Sequence, residues 1–516
     1  MISETSKQQQ PASVDKNKHF RTEHLQGDLG GRSARGGALI LAAQGCKFVL
    51  STAAAILLAR LLAPEDYGLI GMVSIMVGFL GMFQYMGLST ATVRWAELNH
   101  LQVSNLFWMN IGLSVAIMLL TLATSPLVAW FYHDRRLIPI TAGYAVIILL
   151  TGLSIQHEAI LMRQMRFGVT AAIEIAAMAI GLGVAILAAW FGAGYWALVL
   201  NQFVLALVTI AGVWTACKWR PGLPSRGTNV RSMCSYGGNL TGFNLMNFLS
   251  RNLDNALIGK FWGPYQLGIY SRAYQMLLLP MSQINGPLMS VAVPALSRLA
   301  DMPARYRAAY LKILEKIAMI TMPAVVFMIA TSDWLVVFLL GAQWRGAGRI
   351  FMWLGVAAII QPVTRSVLWL FTTQGRAREL FVWGVVSAGI AVLSILAGLR
   401  WGANGVAASY AAADLCFTTP LLFWYAGRRG PVRTADFYRT IAPAAAASLC
   451  SLAALVASRP WLEAWPYLIA RLSVAFIITI AVSLLVFTVL PTGRLALSNL
   501  KETLMLLWKR ERIPVV

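Results

Sequence analysis

Ile56-Leu57-Leu58-Ala59-Arg60-Leu61-Leu62-Ala63-Pro64-Glu65-Asp66-Tyr67-Gly68 lines up without a gap on Ala256-Leu257-Ile258-Gly259-Lys260-Phe261-Trp262-Gly263-Pro264-Tyr265-Gln266-Leu267-Gly268, 200 residues further along the chain. Gly37 and Gly237 match at the same offset. Gln164 and Arg166 match Gln374 and Arg376, and Gly192-Ala193 with Ala197 match Gly402-Ala403 with Ala407, at an offset of 210. Three anchors in one order mark an internal duplication. In the first copy Glu65-Asp66 reads as cap and turn chemistry beside Pro64, because its counterpart Tyr265-Gln266 is not acidic.

Outward from these anchors the chain is apolar almost throughout. Of its 516 residues 58% are hydrophobic and 12% charged, with a mean hydropathy of +0.67, well beyond a soluble domain. A helix needs about 20 apolar residues to cross roughly 30 Å of hydrocarbon, and fourteen such windows follow one another from 35–62 to 465–490. Ser332–Trp344 is too short to cross and reads as a half-buried turn or interfacial segment. Six spans separate each matched pair, so the two copies enter the membrane in the same orientation, a parallel repeat that places substrate between its halves. The expected fold is therefore all-α: a polytopic membrane protein with about 14 transmembrane helices, two six-helix lobes and two further C-terminal helices. Residues 1–34 read as a disordered cytoplasmic tail without a signal peptide. Residues 35–217 form the N-lobe, 218–232 a cytoplasmic linker and 233–426 the C-lobe. Residues 427–490 are the C-terminal pair, and 491–516 a cytoplasmic tail in which Leu497, Leu500, Leu504 and Leu507 share an amphipathic face.

The net charge of +22 could indicate nucleic acid, but no basic stripe sits on a soluble domain, and nucleic acid is excluded as a partner. The charge follows the positive-inside rule instead. With both termini in the cytoplasm, 29 of the 42 Lys and Arg fall on that side, eight on the other and five within spans. Cys46, Cys217, Cys234, Cys416 and Cys450 have no metal-ligand spacing and read as small core residues. With no G-x-x-x-x-G-K-[ST] fingerprint, neither ATP nor another cofactor is expected. Trp108, Trp130, Tyr132, Trp196, Trp262, Tyr265 and Trp461 fall near span ends, as an interfacial belt would, with stacking on sugar rings an alternative for some.

Leu62-Ala63-Pro64-Glu65-Asp66-Tyr67-Gly68, together with Ser250-Arg251-Asn252-Leu253-Asp254-Asn255, Gly259-Lys260 and Leu267-Gly268-Ile269-Tyr270-Ser271-Arg272-Ala273-Tyr274, resembles a particular branch of membrane transporters. These segments are similar to the polysaccharide-transport branch, the lipopolysaccharide and exopolysaccharide flippases, of the multidrug/oligosaccharidyl-lipid/polysaccharide exporter superfamily. The topology of that branch covers about Arg35 to Leu490. The resemblance implies two six-helix lobes in a MATE-like V and alternating access for an undecaprenyl-diphosphate-linked oligosaccharide in the bacterial inner membrane. Its implied partners are that lipid-linked substrate, membrane lipids, and the polysaccharide polymerase and chain-length machinery.

Charge within the spans locates the candidate site, because an ionised side chain at mid-membrane costs at least about 2.5–3.5 kcal/mol unless a cavity or partner compensates. Asn244, Asn247, Arg251 and Asp254 share one face of the seventh span, Gln44 and Lys47 one face of the first, and Gln361 and Arg365 one face of the tenth. Lys47, Arg251, Arg272 and Arg365 are the candidate contacts to a lipid diphosphate, whose oxygens take charge-assisted hydrogen bonds. Gln44, Asn244, Asn247 and Gln361 would line the same cavity. Bland readings stand beside these: Arg251 paired with Asp254 on one helix, Arg272 snorkelling, Arg365 bonded to carbonyls or an acid, Arg471 as an interface anchor. Glu158, Glu174, Asp254 and Asp414 are the carboxylates within spans and the ion-coupling candidates. Glu174 and Asp414 are the better two, since no basic residue lies within a turn of either, with a salt bridge to a buried cation the alternative.

Three functions compete. A membrane glycosyltransferase, polymerase or ligase would need acids or bases on a large external loop, and the loops here are short. A multidrug antiporter would favour buried acids for cationic cargo. Five basic and four acidic residues within the spans favour an anionic substrate, and so a lipid-linked oligosaccharide flippase that is no enzyme.

Overall fold

A computed structural model of the chain describes residues 29–84, 89, 92–93, 98–225, 231–491, 493–495 and 497–499; within these, the side chains of 29–41, 231–247, 249–251, 280–288 and 290 are not described. Every regular element among the described residues is helical. By its contacts the chain divides into two units, Met1–Leu58 with Val73–Leu249, and Ala59–Met72 with Ser250–Val516.

Helices α1 (Leu29–Leu61) and α2 (Pro64–Gln84) each contribute to both units. The first unit also holds α3 (His100–Tyr132), α4 (Leu137–Arg163), α5 (Phe167–Trp190) and α6 (Trp196–Cys217); α3 pairs with α4, α5 with α6, and α4 packs on α6. Helix α3 opens on a capping box, Asn99 Oδ1 accepting from Gln102 N at 2.8 Å and Gln102 Oε1 from Asn99 N at 3.1 Å. Its buried side mixes polar and apolar residues: Ser104, Asn110, Ser114 and Thr121 are fully buried beside Val103 and Leu106, while Leu119, Leu120 and Leu127 are exposed. In lipid, leucine gains nothing by leaving the surface, and helices associate through close packing and interhelical hydrogen bonds. Gln84 supplies such bonds, its Nε2 donating to Ile148 O at 2.8 Å and Ser114 Oγ at 3.0 Å.

The second unit takes most of its mass from the part of α7 after Leu249 and from α8 to α16. Helix α7 (Arg231–Ser297) runs for 67 residues but is broken at Gly263, whose φ of 78° lies outside the range of an L side chain. The expected windows 233–261 and 266–292 fall on either side of that break. There follow α8 (Pro303–Ala330), α9 (Ser332–Leu340), α10 (Arg345–Ala358), α11 (Gln361–Thr373), α12 (Ala377–Gly398), α13 (Gly402–Ala413), α14 (Thr419–Gly427), α15 (Thr434–Glu463) and α16 (Leu468–Val489). The core is aromatic, with Tyr306, Tyr310, Phe371, Phe423 and Phe437 buried. Helix α15 packs on α8 and α16, and Arg307 Nε donates to Asp436 Oδ2 at 2.8 Å across the α8–α15 contact.

Eleven stretches among the described residues are long and apolar enough to cross a membrane. One of them, Ala377–Gly427, contains two expected windows and turns at Leu399–Trp401 before Gly402, where φ is 68°. Ser332–Trp344 forms the nine-residue α9 and a 3-10 turn, too short to span. Of the aromatic residues expected near span ends, Trp108, Trp130, Trp196, Trp262, Tyr265 and Trp461 stand exposed and Tyr132 is half-buried. Arg471 Nε and Nη2 donate to Trp465 O at 2.7 Å and Glu463 O at 2.9 Å, satisfying carbonyls at the end of α15. The cysteines need a correction: Cys217 is buried, but Cys46, Cys416 and Cys450 are exposed. A small apolar thiol is as compatible with lipid as with the core. The Cys234 side chain, the 1–28 segment and most of the stretch after Pro491 lie outside the described residues.

Candidate functional site

The duplicated motif meets itself. Helix α2 opens at Pro64 with Ala63 N donating to Asp66 Oδ2 at 3.0 Å and Asp66 N to Ala63 O at 3.1 Å, the cap chemistry expected of Asp66. The equivalent helix start follows Gly263 at Pro264. A Cβ on Gly68 would lie 1.7 Å from Pro264 O, and one on Gly268 would lie 1.8 Å from Pro64 O. That reciprocity is the signature of a local two-fold, and the backbones approach so closely that only glycine fits at either position. Carbonyls at the end of α1, which have no partner within their own helix, are taken up nearby. Trp344 Nε1 donates to Ala59 O at 2.7 Å, and Gln343 Nε2 to Ala59 O at 2.7 Å and Leu62 O at 3.0 Å. In return Arg60 Nε donates to Leu339 O, at the end of α9, at 3.3 Å.

Arg272 sits beside this crossing. Its guanidinium lies 3.7 Å from the centroid of the Tyr67 ring, and Nη1 donates to Gln275 Oε1 at 2.8 Å. The Tyr67 ring in turn meets Trp344 edge-on at 5.4 Å. Tyr67 therefore holds the cation through its π face without neutralising it, a role that sequence reasoning missed because the partners are 205 positions apart.

Two of the expected acids converge in the second unit. Asp254 Oδ2 accepts from the Tyr270 hydroxyl at 2.8 Å, and Oδ1 from Asn255 N at 2.8 Å. The Tyr270 and Tyr274 rings lie nearly parallel, with centroids 6.4 Å apart. Tyr410 on α13 interacts electrostatically with Asp414, Tyr274, Asp254 and Arg365. Asp414 opens a π-helical turn, Asp414–Thr418, and its Oδ2 is buried with no hydrogen-bond partner among the described residues; such turns recur at functional sites. Tyr270, Tyr274 and Tyr410 escaped the sequence reading, although Tyr270/Tyr274 and Tyr410/Asp414 are each spaced four apart on a helix. Arg365 is exposed on α11 and Gln361 half-buried at its start. The side chains of Asn244, Asn247 and Arg251 lie outside the described residues.

In the first unit Lys47 Nζ forms an ion pair with Glu174, the two side chains being 26% and 47% exposed. The partner that Glu174 lacks on its own helix arrives from α1. Gln44, one turn before Lys47, is exposed, and Glu158 is half-buried beside Ser154.

A family model described as "Polysaccharide biosynthesis protein" matches residues 57–348. The chain belongs to the polysaccharide biosynthesis protein family. As a member of that family it is 26% identical over 319 residues to the teichuronic acid biosynthesis protein TuaB of Bacillus subtilis strain 168, covering 61% of this chain and 66% of TuaB. It is 24% identical over 355 residues to the succinoglycan biosynthesis transport protein ExoT of Rhizobium meliloti strain 1021, covering 67% and 69% of the two chains. To the lipopolysaccharide biosynthesis protein WzxC of Escherichia coli K12 it is 22% identical over 356 residues, covering 68% and 72%. Among solved structures it is similar to the lipid II flippase MurJ in an inward closed conformation, with TM-score 0.66 and 14% identity over 88% of this chain and 98% of MurJ. It is also similar to an inward-facing MATE multidrug resistance transporter of the MOP superfamily, with TM-score 0.54 and 16% identity over 76% and 95%. At these identities the likeness is one of fold. This member of the polysaccharide biosynthesis protein family has the all-helical MOP-type fold that its helix-start motifs resemble.

Proposed function

We propose that the protein is a flippase that carries an undecaprenyl-diphosphate-linked oligosaccharide from the cytoplasmic to the periplasmic leaflet by alternating access, for lipopolysaccharide or exopolysaccharide synthesis. One observation carries this reading: the family match over 57–348 runs through both copies of the glycine crossing. Relatives named for polysaccharide biosynthesis and a fold shared with a lipid II flippase support it. On this reading the membrane is the bacterial inner membrane, both termini are cytoplasmic, and fourteen spans fall into lobes 35–217 and 233–426 with the pair 427–490. The polymerase and chain-length machinery are the expected neighbours.

Lys47, Arg251, Arg272 and Arg365 then meet the diphosphate, and Gln44, Asn244, Asn247 and Gln361 the polar part of the path. Arg272 is suited to this, because a cation–π contact of about 0.5–2 kcal/mol leaves its charge available to an oxyanion. Lys47 is held by a partly exposed carboxylate that a diphosphate can displace. Asp254 and Asp414, gathered around Tyr410, are the acids best placed to take up a coupling ion, with Glu174 and Glu158 as further candidates. Reconstitution tests the reading: proteoliposomes loaded on one leaflet with a short-chain polyprenyl-diphosphate oligosaccharide should expose it to an added glycosidase faster than protein-free vesicles. Export of a cationic dye with no movement of the lipid-linked sugar would favour the antiporter instead.

A further inference from the structure

The second unit also holds a cavity of about 410 Å³ where the ends of α8 and α15 meet the starts of α9 and α10. Its lining changes character with depth. Asp333, Arg349 and Arg459 stand at the helix ends, whereas Met352, Leu452 and Leu455 are apolar. Leu452 lies seven residues before Arg459 on α15, about 10 Å deeper at 1.5 Å per residue. A polar mouth above an apolar floor is the profile of a head group with its chain.

The charges at the mouth are not balanced against one another. Arg459 is engaged on three sides: it pairs with Asp333, its Nε bonds Glu463 Oε1 at 2.9 Å, and its guanidinium lies 5.2 Å from the centroid of the Trp334 ring. Arg349 is exposed and has no hydrogen-bond or ion-pair partner among the described residues. Asp333 Oδ2 is taken by Arg459, but its Oδ1 is buried without a donor, which a folded protein normally avoids. The site thus lacks an anion for Arg349 and an N–H donor for Asp333, both lining one cavity with an apolar floor.

We infer that this cavity binds a phospholipid with a primary-ammonium head group, its phosphodiester on Arg349, its ammonium on Asp333 Oδ1 and an acyl chain along Leu452 and Leu455. A quaternary ammonium has no N–H to give Asp333, and a glycerol head group brings no cation. The inference stands apart from the transport reading, since none of these residues belongs to the proposed path.

The test uses the purified full-length protein in detergent, with dioleoyl phosphatidylethanolamine, phosphatidylcholine and phosphatidylglycerol competing at equal concentration and retained lipid read by native mass spectrometry. The ethanolamine lipid should be retained at least about tenfold over the other two, the scale of one charge-assisted hydrogen bond. Asp333→Asn should bring retention close to parity, whereas Arg349→Gln, which removes a contact to the phosphodiester that all three lipids share, should lower the retention of all three alike. Asp333→Asn also disturbs the pair with Arg459, so the wild-type preference together with the fall in total retention in Arg349→Gln, at an exposed position, decides the matter if the other variant fails to fold. Equal retention of all three lipids by the wild type, undiminished total lipid retention in Arg349→Gln, or displacement of the retained ethanolamine lipid by an equal concentration of soluble phosphoethanolamine would each overturn the inference.

Discussion

At the scale of single residues, the ion pair between Lys47 and Glu174 separates a substrate contact from a structural tie. Both side chains are more than a quarter exposed, so the pair contributes no more than about 1 kcal/mol to stability. Lys47→Gln is therefore expected to leave the level of folded protein unchanged in an immunoblot while reducing polymer export at least about tenfold, the effect of losing one charge-assisted contact worth about 1.4 kcal/mol. Lys47→Arg should keep part of the export. Recovery in the charge-swapped double variant Lys47→Glu with Glu174→Lys would make the pair structural and remove Lys47 from the path. Asp254 poses a different question, because one of its hydrogen bonds comes from the Tyr270 hydroxyl. Tyr270→Phe removes a bond of about 1.5–3 kcal/mol if the carboxyl is ionised and should slow transport in proteoliposomes with only a modest fall in yield. Asp414→Asn, at a carboxyl oxygen that has no donor to lose, should slow transport at unchanged yield, and full activity in both variants would remove this cluster from the coupling.

At the scale of the element, the two helix starts at Pro64 and Pro264 behave as one joint. A methyl on Gly68 would fall 1.7 Å from a backbone carbonyl that cannot rotate away, so Gly68→Ala must push the two helix starts apart. Overpacking of this kind costs about 1–3 kcal/mol, enough to move a two-state equilibrium by roughly five- to 150-fold. Leu267, fully buried beside the joint, provides the readout. A cysteine placed there should react with a maleimide severalfold faster in the Gly68→Ala background than alone. Gly45→Ala, where a Cβ meets nothing within 4 Å, should not change that rate. Unaltered labelling in Gly68→Ala would show that the joint relaxes without opening. The motif was legible in the sequence as a repeat, but its meaning was not. A repeat says that two segments are alike, whereas the crossing requires that they touch, and nothing in either copy encodes the other's position.

At the scale of the whole molecule, the proposed orientation makes a direct prediction. Reporter fusions should place both termini and the Lys218–Arg231 loop in the cytoplasm, and the turn at Gly192–Gly194, where Gly192 has a φ of 78°, outside. A loop at Lys218–Arg231 that reports from the periplasm would undo the fourteen-span arrangement, because the distribution of Lys and Arg that supports it depends on that side being inside. Of the candidate site, the sequence offered the cations and acids but not their company. Glu174 looked unpaired because only its own helix could be searched, and Arg272 could be read equally as a diphosphate contact or a snorkelling residue because Tyr67 could not be seen beneath it.

The sequence by itself determined what the bilayer acts on locally: the length and number of apolar stretches, the bias of basic residues, the break before each repeated proline, and the list of charges too costly to leave in hydrocarbon. These are properties of successive residues, and lipid selects on them one stretch at a time. Only the tertiary structure decided which face of each helix is inside, and hence that Lys47 meets Glu174 across 127 positions and Gly68 meets Pro264 across 196. In water an apolar stripe would have announced those faces. In lipid, which is as apolar as the core, the buried faces carry serine and threonine among leucine, valine and alanine, so no stripe marks them, and fit is a property of two surfaces together.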